Sequence, residues 1–169
     1  MKKRPVRLLL CLLLMLSVSG CARSAGAGST MPEGGFPLYV LNHDKTAVVR
    51  ETFVLQADPQ DVSAAVQEVA DALHAVPVGK DHVAPISENV VLREFRLEGG
   101  LLTLDFDVRY LDLDPSTEAL TRAAIVLSFT GIDGVDSVLF LVSGTALMKN
   151  ETDPVGVMHA DSFVLSFQS

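Results

Sequence analysis

The chain has 169 residues and a formal charge of −8, with 21 acidic residues against 13 basic ones. That length suits one compact domain whose core needs no disulfide or metal staple. The acidic balance argues against a nucleic-acid surface or a polybasic membrane patch, and with no Trp and 6% aromatic residues there is little from which to build a stacking platform for sugars or bases.

The N-terminus opens on Lys2, Lys3, Arg4 and Arg7, followed by an apolar run from Leu8 to Val18. The run is too short to cross about 30 Å of hydrocarbon as a helix. A basic head, an apolar middle and small residues at the end have the layout of a signal peptide over residues 1–20. Within Leu16-Ser17-Val18-Ser19-Gly20-Cys21, the last four residues resemble the bacterial lipobox. The resemblance implies that a diacylglycerol alkylates the Cys21 thiol and that a signal peptidase cuts between Gly20 and Cys21. The result is an acylated, palmitate-type N-terminus, and two or more acyl chains hold a protein stably on a membrane. Losing residues 1–20 removes four basic and no acidic residues, which takes the formal charge from −8 to −12. Cys11 leaves with the signal and Cys21 is consumed by lipid, so the folded part has no thiol for a disulfide, a nucleophile or a zinc site. Ala22 follows the cysteine, where two-membrane bacteria place an aspartate for inner-membrane retention.

Residues 21–35 are small, Gly/Ser-rich and aperiodic, the composition of a flexible tether. From Phe36 the character changes, and residues 36–169 read as one folded domain. Phe36–Leu41 and Val48–Leu55 are predicted strands of a hairpin across the turn formers Asn42-His43-Asp44-Lys45. A helix follows: Asp58 is the expected cap, Pro59 the first helical residue, and Asp61 lies in the first turn. Val62, Ala65, Val66, Val69, Ala72, Leu73 and Val76 recur at helical spacing until Pro77. Residues 77–89 are expected to form a loop.

Two strands come next around Glu98-Gly99-Gly100. In the first, Val91, Phe95 and Leu97 share a face, with Arg93 the exception. In the second, Leu102, Leu104, Phe106 and Val108 alternate with Thr103, Asp105 and Asp107, which implies one buried and one wetter face. Asp114-Pro115 starts a second helix, apolar nearly all round from Ala119 to Phe129. Val135–Val142 reads as a central strand, Gly144 as a turn, residues 149–161 as a polar loop, and Phe163–Phe167 as a closing strand. The order ββ-α-ββ-α-β-β is an α+β pattern: a two-layer α/β sandwich with two helices on a mixed or antiparallel sheet.

Several of these pieces line up with one family. They are Leu38-Tyr39-Val40-Leu41, the helix Val62–Val76, Gly100-Leu101-Leu102-Thr103-Leu104-Asp105-Phe106, the helix from Glu118 to Phe129, and Gly134–Gly144. Together they resemble the GerMN domain found in sporulation and spore-germination lipoproteins, over roughly residues 36–167. The departures are Leu141-Val142-Ser143-Gly144, where the family more often has an acid before the glycine, and the loop after Lys149. The resemblance implies a sandwich on the outer face of the cytoplasmic membrane and a role in envelope or spore-envelope assembly through protein contacts. It brings no catalytic residues.

The acids Asp105, Asp107, Asp112 and Asp114 are the best metal candidates, because hard cations want converging carboxylates. Asp105 and Asp107 share a strand face in this reading. However, no EF-hand spacing follows, and the plainer expectation is a solvated strand face with Asp114 as a helix cap. His43, His74, His82 and His159 read as surface residues, although His82 and His159, both in predicted loops, could meet with a nearby Asp. Neither Ser143 nor Ser162 lies in a nucleophile elbow, and Ser128 is expected to bond to backbone from inside its helix.

The expected protein is thus a non-catalytic, cofactor-free lipoprotein outside the cytoplasmic membrane, lipid-anchored through Cys21, with a protein partner in the envelope. The alternative is a small-ligand-binding or metal-assisted hydrolytic lipoprotein using the acidic patch or the loop histidines.

Overall fold

The structure, a computed structural model, describes residues 35–58, 60–75 and 81–163. The expected signal peptide, Cys21 and the tether to residue 34 lie outside the described residues. So do Pro59, Val76, Pro77 and everything from residue 164 onward, which includes all but the first residue of the expected closing strand.

β1 (Phe36–Asn42) and β2 (Val48–Phe53) form the expected antiparallel hairpin, in register from Phe36 opposite Phe53 to Leu41 opposite Val48. The Asn42 side chain builds the turn, its Oδ1 accepting from the Thr46 and Ala47 amides at 2.8 and 3.0 Å. α1 (Val62–His74) starts later than expected. Asp61, not Asp58, is its cap and accepts from the Ala64 amide at 2.9 Å. Asp58 instead closes the turn before it, accepting from Gln60 N through its side chain and from Asp61 N through its carbonyl. Two aspartates three residues apart carry the same capping signal, and the buried stripe Ala65, Val66, Val69, Ala70 and Leu73 begins one turn after the second. The Glu68 carboxylate accepts from the Gln56 and Ala57 amides, tying the incoming chain to the helix.

The segment expected to be a loop contains a short strand, β3 (His82–Val83), which pairs with β1 and completes a three-stranded antiparallel sheet, β2-β1-β3. Two residues are too few to show a period, so only the pairing reveals this strand.

The second sheet runs β4 (Leu92–Glu98), β5 (Leu101–Phe106), β6 (Ser137–Val142) and β7 (Thr145–Ala146). β8 (Val157–Met158) pairs with the other end of β6, inside the segment expected to be a polar loop. β4 and β5 are antiparallel across Gly99-Gly100, both with positive φ (56° and 83°), the backbone of a type I′ two-residue turn. β5 and β6 are parallel, which a tight turn cannot connect. The link is α2 (Pro115–Phe129), capped by Asp114 with Pro115 in its first turn, as expected. Phe163 lies outside any strand.

Two details of the β4–β5 pair correct the expected faces. The register slips between Leu92 and Glu94, so Arg93 is the extra residue of a bulge. Leu92 therefore sits opposite Phe106, and Val91 is left 44% exposed. Regular alternation would have put the Arg93 guanidinium into the core. β5 also ends at Phe106. Val108, expected inside, is 62% exposed in a 3₁₀ segment, Val108–Asp112.

Leu102, Leu104, Phe106, Val66, Val69, Leu73, Ile125, Val126 and Phe129 are all fully buried in one cluster spanning both helices and the second sheet. Ala123 and Ala124 face the other way, onto Leu41 and Val48 of the first sheet. The two buried hydroxyls of α2 are satisfied by backbone: Thr121 donates to Pro85 O at 3.0 Å, and Ser128 accepts from Tyr39 N at 2.9 Å, as its position inside an apolar helix requires.

Two substitutions test this core. Leu104→Asp places an unpaired carboxylate at a fully buried site and should abolish cooperative unfolding in circular dichroism. Gly100→Ala should cost about 1–3 kcal/mol by urea denaturation, because a left-handed φ is strained for alanine, and its Cβ would press on the Asp136 carboxylate.

Candidate functional site

Of the acids singled out by their spacing, Asp105, Asp107 and Asp114 each hold a partner within the protein, while Asp112 ends the 3₁₀ segment. Asp105 accepts from Gly144 N at 2.9 Å, closing the β6–β7 turn, and its other oxygen lies 3.6 Å from the Arg93 guanidinium. Asp107 falls beyond the strand end, so the two acids do not share a strand face as expected. Its carboxylate accepts from Val91 N at 3.1 Å and from Arg109 Nε at 2.6 Å, while its own amide donates to Val91 O at 2.9 Å. These contacts, the Val91 amide first and Arg109 after it, hold its carboxyl below the usual carboxylate range. Asp114 is lowered as well, by the Ser116 hydroxyl first and the Thr117 amide after it. Among the described residues no three His, Cys, Asp or Glu side chains converge as a metal-binding group.

The histidines are dispersed. His82 is on β3 of the first sheet, its Nδ1 at 2.8 Å from Glu51 Oε1, an ion-pair distance without hydrogen-bond angles. His159 follows β8 on the second sheet, with Nδ1 at 3.2 Å from Asp136 O and its amide donating to Ser162 Oγ. No site joining these two with an acid forms among the described residues, and β3 and β8 belong to different sheets. His74, read from sequence as a surface residue, is half-buried at the end of α1, with Nδ1 at 2.9 Å from Ala70 O and Nε2 at 3.2 Å from Val90 O. His43 is exposed in the β1–β2 turn.

A cluster that the sequence reading missed joins the 3₁₀ segment, α2 and β8. Glu118 accepts from Arg122 Nε and Nη2 at 2.8 and 2.9 Å, and from the Tyr110 hydroxyl at 3.2 Å. Arg122 also reaches Met158 Sδ. Tyr110 is 1% exposed, with its ring centroid 4.9 Å from that of Phe106. Burial, followed by the Glu118 charge, pushes its phenol well above the ordinary range, so it stays a donor. The Glu118–Arg122 spacing carries a readable helix-pair signal. Tyr110 carries none, because its position depends on the strand ending at Phe106.

Beside this architecture, α1 and β4 flank a cleft of about 580 Å³ lined by Gln67, Asp71, His74, Val91, Arg93 and Phe95. One wall is the outer strand of the second sheet.

The Germane family model, described as sporulation and spore germination, matches residues 37–148. The match ends just before the loop that departs from the family pattern. The chain is similar in structure to the first GerMN domain of the sporulation protein GerM from Bacillus subtilis, with a TM-score of 0.59 and 15% identity over 72% of this chain and 93% of that one. It is also similar to the tandem GerMN domains of the same protein, with a TM-score of 0.56 and 15% identity over 72% of this chain and 44% of that one. At that identity the likeness is one of fold. No curated protein sequence matches the chain.

The lowered carboxyls predict an acid dependence. A carboxyl lowered by folding stabilises fully above its unfolded value, about 4, and loses that contribution as pH falls through the folded value. The melting temperature of the Asp107→Asn/Asp114→Asn protein should therefore fall less than that of the parent on acidification below about pH 4. Parallel curves would show that these contacts do not stabilise the fold.

Proposed function

The chain belongs to the Germane family of sporulation and spore germination proteins, and from that premise we propose that it is a non-catalytic lipoprotein that binds a protein partner in envelope or spore-envelope assembly. Signal peptidase releases residues 1–20, lipid on Cys21 holds the chain outside the cytoplasmic membrane, and residues 21–35 tether a single domain over residues 36–169. The lipobox-like Val18-Ser19-Gly20-Cys21 supports the anchor. An acidic domain has no electrostatic pull toward an anionic bilayer, so the lipid supplies the membrane affinity.

One observation carries the binding role. Five of the candidate side chains for acid–base or metal chemistry are engaged in holding the fold: Asp105 on a turn amide, Asp107 on Val91, Asp114 on a helix start, and His74 and His159 on carbonyls. A carboxylate committed to backbone donors is a poor base and a poor cation ligand. What the domain offers a partner is surface, and the cleft between α1 and β4 gives it a concave part with a mixed apolar and charged lining.

Two measurements test this. Cys21→Ala in a bacterial host should move the protein out of the membrane fraction, or leave it unprocessed, with the domain's circular dichroism unchanged. Unaltered membrane retention would overturn the anchor. A thermal-melt series of the mature chain with divalent cations and cell-wall fragments should show no shift, while crosslinking in cells should capture a protein. A clear cation-induced rise in melting temperature would favour metal-assisted chemistry instead.

A further inference from the structure

We propose that β4 is a self-pairing edge, through which two copies of this chain join antiparallel about a two-fold axis at Phe95. The proposal deepens the protein-binding role above by naming the partner, and it rests on the lipid anchor for concentrating the copies.

β5 covers one side of β4, and among the described residues no strand covers the other. The phase of the open side follows from the hairpin. Gly99-Gly100 is a two-residue turn, so Glu98 and Leu101 form a hydrogen-bonded pair. Counting back in twos, Glu98, Arg96 and Glu94 turn their backbone polar groups toward β5, while Leu97 and Phe95 turn theirs outward. Any added strand must bond at Phe95 and Leu97.

The side chains give the partner. Glu94, Arg96 and Glu98 stand on the solvent face with side chains 68%, 65% and 76% exposed. Within the strand their ion pairs are long, 4.0 Å from Arg96 to Glu94 and 3.9 Å from Arg96 to Glu98, so they can be exchanged at little cost. Only registers that match outward groups to outward groups are allowed. Centred on Arg96, a second β4 would set Arg96 against Arg96 and Glu94 against Glu98. Centred on Glu94, it would oppose Glu94 to itself. Centred on Leu97, it would set Arg96 against Glu98 but run into the Gly99-Gly100 turn. Centred on Phe95, Phe95 meets Phe95 at a hydrogen-bonded site, and Glu94 meets Arg96 twice at the non-hydrogen-bonded sites, where facing side chains come closest. Edge charges normally discourage pairing. Here they alternate in sign and complement themselves about Phe95, the midpoint of Leu92–Glu98.

The Arg93 bulge ends the regular run on one side and the glycine turn on the other. The pairing is therefore short and weak in dilute solution, and copies confined to one membrane gain from a high effective concentration.

The test uses the full-length chain expressed in bacteria, with its Cys21 acylated. Chains carrying Glu94→Cys and Arg96→Cys are co-expressed, and mild oxidation should give a disulfide dimer severalfold more abundant than either chain gives alone. Arg96→Glu paired with an unaltered Glu94 should weaken lysine-directed or photo-crosslinked dimer, and Glu94→Arg/Arg96→Glu should restore it. Equal crosslinking of all three cysteine combinations, or a charge swap that fails to restore the dimer, overturns the proposal. Fractionation of the same cells separates the two readings. A membrane-bound protein that does not crosslink sinks self-pairing and leaves the anchored protein-binding role standing, whereas a protein absent from the membrane fraction sinks the anchor.

Discussion

The second helix has almost no face to give to water. From Thr121 to Phe129 seven of nine residues are buried, and they point in opposite directions: Ile125, Val126 and Phe129 toward one cluster, Ala123 and Ala124 toward another. A helix of this kind must be covered on more than one side. That requirement accounts for the two sheets. The five-stranded sheet takes the larger residues, and the three-stranded sheet lies close against the alanines. The polar atoms that such burial traps, Thr121 Oγ1 and Ser128 Oγ, are spent on the backbone of the opposing elements, which fixes where β1 and the Pro85 loop must sit.

The same helix also explains the parallel pairing of β5 and β6, since a parallel neighbour needs a long crossover and α2 is that crossover. β5 then becomes the strand on which corrections accumulate. One face, Leu102, Leu104 and Phe106, is fully buried, so β4 cannot slip without placing Arg93 inside. The bulge resolves that conflict by skipping Arg93 and presenting Leu92. Gly100 serves both neighbours: its φ makes the hairpin turn, and its carbonyl accepts from the Asp136 and Ser137 amides where β6 begins.

Polar residues whose types suggest chemistry are drawn into this scheme as braces. Asp105 and Asp107 brace the end of β5, and Glu118 joins Arg122 and Tyr110 beneath β8.

The sequence by itself determined the α+β class, the hairpin of β1 and β2, both long helices, the Asp114 cap and the family resemblance. These rest on local periods and turn chemistry that a few residues suffice to show. It also carried the lipobox-like segment around Cys21, which lies outside the described residues. Tertiary structure alone decided the rest. β3, β7 and β8 are two residues long and exist only through their partners. Asp61 prevailed over Asp58 as the cap because the buried stripe sets the start of α1. The Arg93 bulge, the end of β5 at Phe106, the placement of β3 and β8 in different sheets, and the cleft beside β4 all follow from which strand lies next to which. Adjacency of that kind is an agreement between residues far apart in the chain, and no local pattern records it.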